Sequence, residues 1–226
     1  MRALLRDRAA VLHALEHTLL RPEAGPAAVR RLCAEAVSLG LGAVCVHPDY
    51  VALARSQVAG TGVRVVTVAG FPLGANTSEV KAREAERAVR DGADEVDMVL
   101  NLGRLKEGEL AAVRADVAAV VAAAGVPVKV ILETGYLTDE EIVAACRLAE
   151  EAGARFVKTA TGFGPGGATL EAVRLMRASV SPRVGVKAAG GIRTAEQVLA
   201  FLAAGADRIG TSAGAAIARA LAGLPG

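Results

Sequence analysis

The chain has 226 residues, is 53% hydrophobic, lacks tryptophan and carries a formal net charge of +2. That length suits one large domain or two small ones, with enough Ala, Val and Leu for a substantial core. Acidic and basic residues are interspersed, which leaves no footprint for nucleic acid and no polybasic membrane patch. Residues 1–17, MRALLRDRAAVLHALEH, have charges inside their apolar run, unlike a secretory leader. The most apolar later stretch, AAVVAAAGVPVKVIL at 118–132, is divided by Gly125, Pro127 and Lys129, so no membrane span is expected. Cys33, Cys45 and Cys146 are odd in number and form no CxxC pair. They read as reduced thiols of a cytoplasmic protein.

After a short N-terminal helix, HTLL at 17–20 is the first candidate strand. Seven clearer strands follow: AVCVH (43–47), VRVVTVA (63–69), EVDMVL (95–100), VKVILE (128–133), RFVKTA (155–160), VGVKAA (184–189) and DRIGTS (207–212). Amphipathic, Ala-rich segments of helical length separate them. Thr138 with Glu141 and Thr194 with Gln197 fit capping boxes. Gly92, Gly153 and Gly205 each close a helical run and are followed by Ala and a strand, the trace of a repeated βα unit. Eight strands alternating with helices predict an α/β (β/α)₈ TIM barrel formed as a single domain over 1–226. A doubly wound open sheet is the competing architecture.

Two apolar strands end in lysine, FVKTATG with Lys158 and VGVKAAGG with Lys187, and Lys129 lies in a third. The three are evenly spaced. Strand alternation puts them on one face, with Lys129 one pleat deeper. In a barrel that face is the interior near the C-terminal mouth, where such folds keep their active sites. Asp97 in EVDMV is the natural counter-charge. A buried structural ion pair would account for one lysine. Two adjacent ammonium groups repel, and repulsion with desolvation favours a neutral amine. A neutral amine beside another cation suits Schiff-base chemistry on a carbonyl. Gly190 and Gly191 after the Lys187 strand, and Gly210, Thr211 and Ser212 before the last helix, suit a phosphate held by backbone N–H groups.

Two motifs point elsewhere and are set aside. HALEH (13–17) matches an inverted zinc-protease pattern, but the helix ends there and His47 is the only other histidine. No metal is expected. GFGPGG (162–167) matches a dinucleotide fingerprint but lacks the ribose-binding acid and carries Pro165 in its turn. A flexible loop closing over a phosphorylated substrate is the better reading. Cys45, near His47, is a candidate reactive thiol, with a small core filler as the plainer reading.

EVDMV, KVILETG (129–135), FVKTATGFG and GVKAAGGIRT, supported by HTLL and RIGTS, resemble the 2-deoxyribose-5-phosphate aldolases, class I aldolases with a (β/α)₈ barrel. The resemblance covers nearly the whole chain. It implies reversible cleavage of 2-deoxy-D-ribose 5-phosphate to D-glyceraldehyde 3-phosphate and acetaldehyde, with no metal or organic cofactor. It implies Lys158 as the Schiff-base lysine, with Lys187 and Asp97 in a proton relay. Thr161, Gly190, Gly191 and Ser212 would approach substrate or phosphate, and Glu16 and Thr18 its hydroxyls. A homodimer or higher homo-oligomer is also implied. The chain departs from the family pattern at Glu16 (usually Asp), Ala188 (usually Pro), Ala213 (often Ser) and in ending ALAGLPG without the Tyr of some members. A Schiff-base aldolase for another sugar phosphate, and a non-catalytic sugar-phosphate-binding barrel, are the alternatives. The paired lysines argue against the second.

Overall fold

A computed structural model describes residues 7–223. Residues 1–6 and 224–226, with the last residues of ALAGLPG, lie outside the described residues. Helix α1 (Arg8–Ala14) leads into eight strands: β1 (Leu15–Leu19), β2 (Ala43–Val46), β3 (Arg64–Ala69), β4 (Glu95–Val99), β5 (Val128–Ile131), β6 (Phe156–Lys158), β7 (Gly185–Ala189) and β8 (Arg208–Thr211). The intervening helices are α2 (Pro26–Leu39), α3 (Val51–Val58), α4 (Ser78–Arg90), α5 (Leu102–Lys106), α6 (Leu110–Ala124), α7 (Asp139–Glu151), α8 (Leu170–Ser179) and α9 (Ala195–Ala203), and α10 (Gly214–Gly223) follows β8. All neighbouring strands are parallel and β8 pairs back onto β1, so the sheet closes as a (β/α)₈ barrel and the open-sheet alternative falls. The first strand starts earlier than HTLL suggests. Leu15 and Glu16 pair with Ile209 and Gly210 of β8, because closing the barrel requires that edge.

Local signals and tertiary packing agree. Both capping boxes form, at Thr138–Glu141 and Thr194–Gln197. Gly92, Gly153 and Gly205 follow their helices with φ of 108°, 89° and 106°, a left-handed step that glycine takes without penalty. Alternation along each strand then sorts side chains into two environments. Val44, Val65, Val96, Val130, Val157, Val186 and Ile209 face outward into the main core beneath the helices. Inward positions divide the barrel lumen. Ala43, Cys45, Val66 and Val68 make a small apolar cluster on the β2–β3 side. Charged side chains, together with Ile131, Phe156 and Ala189 on the same inward face, occupy the remainder.

One buried ion pair braces the strand that carries Asp97. Lys81 of α4 donates to Asp116 of α6 at 2.7 Å and to the Val99 carbonyl, at the end of β4, at 3.0 Å. Its stem runs over Gly70, where a Cβ would lie 2.9 Å from Lys81 Cε. Removing one partner strands the other charge. Lys81→Met is therefore expected to lower stability by about 3–5 kcal/mol. The double variant Lys81→Met/Asp116→Leu should recover most of that loss, and urea denaturation of both reads the difference.

Candidate active site

Strand register assembles the site. Lys158 and Lys187 are direct partners across β6–β7, and Asp97 and Lys129 across β4–β5. Ile131 is the β5 partner of Lys158, so Lys129 sits one pleat deeper, as the alternation predicts. The three amines converge on Asp97. Lys129 reaches Oδ1 at 2.9 Å, while Lys158 and Lys187 share Oδ2 at 2.9 Å and 2.6 Å. The deeper lysines have further carboxylates. Lys129 lies 2.6 Å from Glu95 and 3.6 Å from Glu16, and Lys187 also donates to Glu16. Among the described residues Lys158 has Asp97 alone, on an oxygen that Lys187 holds more closely.

That inequality shifts the three amines in different directions. Burial, together with the Lys187 ammonium, outweighs Asp97 and lowers Lys158 from the ordinary lysine value. Burial opposes the charge on Lys187 too, but Asp97 and Glu16 overcome it and raise its pKa. Lys129 is raised likewise by Asp97 and Glu16 against burial. Burial would favour protonation of Asp97, yet the positive charge of the lysines around it holds it well below the usual carboxylate range. Cys45 shares this interior, and burial pushes its thiol up to about 11, which keeps it a thiol at neutral pH.

Above the charges lies a cleft of about 540 Å³ at the C-terminal mouth. Of the three lysines only Lys158 lines it, and Thr18, Thr161, Gly190, Gly191, Gly210 and Ser212 line it as well. Lys187, Asp97 and Glu16 are fully buried below its floor. Glu16 is therefore placed as a partner of Lys187 and does not line the cleft. Gly210 lies within β8 and not in the following loop, and its lack of a side chain makes room for Lys187, whose Cε would be 3.0 Å from a Cβ. The glycines around 162–167 have a packing reason. A Cβ on Gly135 would strike the Pro165 carbonyl at 1.9 Å, and one on Gly167 the Gly190 carbonyl at 2.5 Å. The loop expected to be a flexible flap is thus docked on the ends of β5 and β7. His13 and His17 diverge: His13 approaches Arg64, and His17 Nε2 donates to Glu35 at 2.9 Å. Sequence reasoning gave no role to Glu35, Arg31, Arg193 and Phe163, which also line the cleft, or to Glu133 behind it. Glu133 stood in plain view in KVILETG, but only its backbone angles mark it as unusual.

The profile of the DeoC/LacD family aldolases matches residues 11–222. The chain belongs to that family. It is 55% identical to a deoxyribose-phosphate aldolase of Thermococcus gammatolerans over 208 residues, covering 90% of this chain and 92% of the relative. It is also 55% identical over 204 residues to one of Streptococcus pneumoniae, covering 90% and 93%. The solved deoxyribose phosphate aldolase of Aeropyrum pernix, described as tetrameric, superposes with a TM-score of 0.89 at 32% identity over 99% of both chains. Among the described residues of this aldolase no helix is long and apolar enough to cross a membrane.

Replacing Lys187 by Met removes the cation that helps lower the Lys158 pKa and leaves Asp97 Oδ2 to Lys158. The Lys158 pKa should then rise, with about a tenfold loss of free amine at neutral pH for each unit. Competitive acetylation of the folded protein across pH, read by peptide mass, should show the reactivity of Lys158 moving to higher pH.

Proposed function

We propose that Lys158 is the Schiff-base nucleophile of this enzyme, that Lys187 and Asp97 serve its proton transfers, and that Thr18, Thr161, Gly190, Gly191 and Ser212 hold the substrate. The enzyme is a deoxyribose-phosphate aldolase, a lyase of deoxyribose phosphate catabolism. The observation that carries the residue assignment is the position of Lys158. Of the three lysines around Asp97 it alone opens onto the cleft, and it alone has a lowered pKa.

The chemistry follows from that amine. Neutral Lys158 adds to C1 of the open-chain sugar 2-deoxy-D-ribose 5-phosphate, and the carbinolamine hydroxyl takes a proton from the Lys187–Asp97 pair and leaves as water, which gives the iminium. As the C3 hydroxyl gives up its proton, the C2–C3 bond breaks and its electron pair moves into the iminium. D-Glyceraldehyde 3-phosphate departs and the enamine of acetaldehyde remains on Lys158. Protonation of the former C2 regenerates an iminium, and water releases acetaldehyde and the amine. Lys187 is held cationic 2.6 Å from Asp97 Oδ2, so a proton can pass between them next to Lys158. The iminium is itself the electron sink, so the route uses no metal or organic cofactor. Glu16 keeps Lys187 charged from below. We also read the chain as one aldolase domain acting as a cytoplasmic homo-oligomer, a dimer or larger. The tetrameric description of the Aeropyrum pernix relative supports the oligomer.

Borohydride trapping with acetaldehyde, followed by peptide mapping, tests the assignment. A single ethyl group on Lys158, absent in Lys158→Met, is expected. A folded protein that takes up no ethyl group would sink the Schiff-base assignment and favour the phosphate-binding barrel. An adduct with cleavage only of a different sugar phosphate in a substrate panel would favour the other aldolase.

A further inference from the structure

Among the described residues Glu133 alone, glycines apart, has a left-handed backbone, with φ 54° and ψ 61°. Side chains other than glycine avoid that region. Glu133 lies two residues beyond the end of β5, and the turn directs its carboxylate sideways to the loop after the Lys158 strand. The Thr161 amide donates to its two oxygens at 3.3 Å and 3.2 Å, and the Thr161 hydroxyl donates to Oε2. The same hydroxyl oxygen accepts the Phe163 amide at 3.0 Å. Gly164 closes over the carboxylate, where a Cβ would lie 2.8 Å from the carboxyl carbon.

Glu133 is 2% exposed, and among the described residues no ammonium or guanidinium group lies within ion-pairing distance of it. Burying a carboxylate without a cation is costly unless hydrogen bonds hold it. Here the bonds all come from Thr161. Glu133 takes no part in the network around Asp97, so stabilising that charge cluster does not explain it. On the opposite side of the same loop, the Phe163 ring meets Phe71, from beyond β3, edge to face at 5.5 Å. The segment 161–164 is thus held by Glu133 at its start and by Phe71 across the mouth. Thr161 and Phe163 both line the cleft.

We infer that Glu133 is a positioning residue for the phosphorylated half of the substrate: its left-handed turn and buried carboxylate fix Thr161 and the 161–164 loop over the cleft beside Lys158. The inference rests on the reading that Lys158 is the nucleophile and that Thr161 touches substrate. It divides the reaction into two parts. Schiff-base formation with acetaldehyde needs Lys158 and its charged neighbours but not the loop. Binding and cleaving the sugar phosphate needs both.

Glu133→Gly is the informative variant, because glycine adopts this backbone freely while the carboxylate is lost. It should melt near the parent temperature and trap acetaldehyde on Lys158 at a rate within about twofold, while KM for 2-deoxyribose 5-phosphate rises about tenfold or more. Glu133→Gln keeps the length and one acceptor oxygen, and should recover most of that KM. Thr161→Val combined with Glu133→Gly should raise KM no further than the larger single effect, since one acts through the other. Parental KM in both Glu133 variants, or a lowered melting temperature with KM unchanged, overturns the inference and leaves Glu133 a structural latch. Equal losses in trapping and in KM also overturn it, by placing the effect at Lys158. If the parent traps acetaldehyde and only these results fail, the Lys158 assignment stands; if the parent traps none, both fall.

Discussion

Three lysines share one aspartate at the centre of this barrel, and they share it unequally. Asp97 offers two oxygens. Lys129 takes one, while Lys187 and Lys158 compete for the other at 2.6 Å and 2.9 Å. Glu95 and Glu16 then complete the pairing of Lys129 and Lys187 but not of Lys158. In a water-excluded interior the ammonium with the weakest pairing gives up its proton most readily. In the proposed mechanism the nucleophile is therefore set less by the identity of Lys158 than by how well its neighbours are neutralised. A barrel with an apolar lumen could not do this, because a lone buried lysine would lose its proton with no cation beside it to hand one back.

The fold serves that arrangement at several removes. Parallel register makes Lys158 and Lys187 direct neighbours on β6 and β7 and sets Asp97 against Lys129 on β4 and β5. Gly210 on β8 leaves room for the Lys187 stem. The β4 strand is tied at Val99 by Lys81, whose own charge is neutralised by Asp116 in the helical layer. At the mouth the loop after β6 rests on neighbouring strand ends through glycines at 135, 164 and 167, so a polar cleft lies directly on a charged floor.

Much of this is readable in the amino-acid order because strand alternation is a strict rule. Lysine at the ends of FVK and GVK, in otherwise apolar strands, fixes a common face, and the capping boxes and post-helix glycines mark the repeat that closes the barrel. The features that escaped depend on long-range packing. Glu16 was expected at the cleft and lies beneath it, because β1 begins at Leu15 and its pairing with β8 puts Glu16 level with Gly210, next to Lys187. Gly210 resembled a loop glycine and is a strand glycine that clears a neighbour's side chain. Glu133 lies in a visible motif, yet its importance comes from a backbone angle that no sequence pattern announces.

Lysine side-chain nitrogens labelled with ¹⁵N and followed by NMR against pH decide whether the sharing is unequal in solution. With assignments from single Lys→Arg variants, the Lys158 signal should titrate at a pH below that of an ordinary lysine, while Lys187 and Lys129 remain charged throughout. A Lys158 signal that stays charged as long as that of Lys187 would contradict the assignment of Lys158 as the neutral amine.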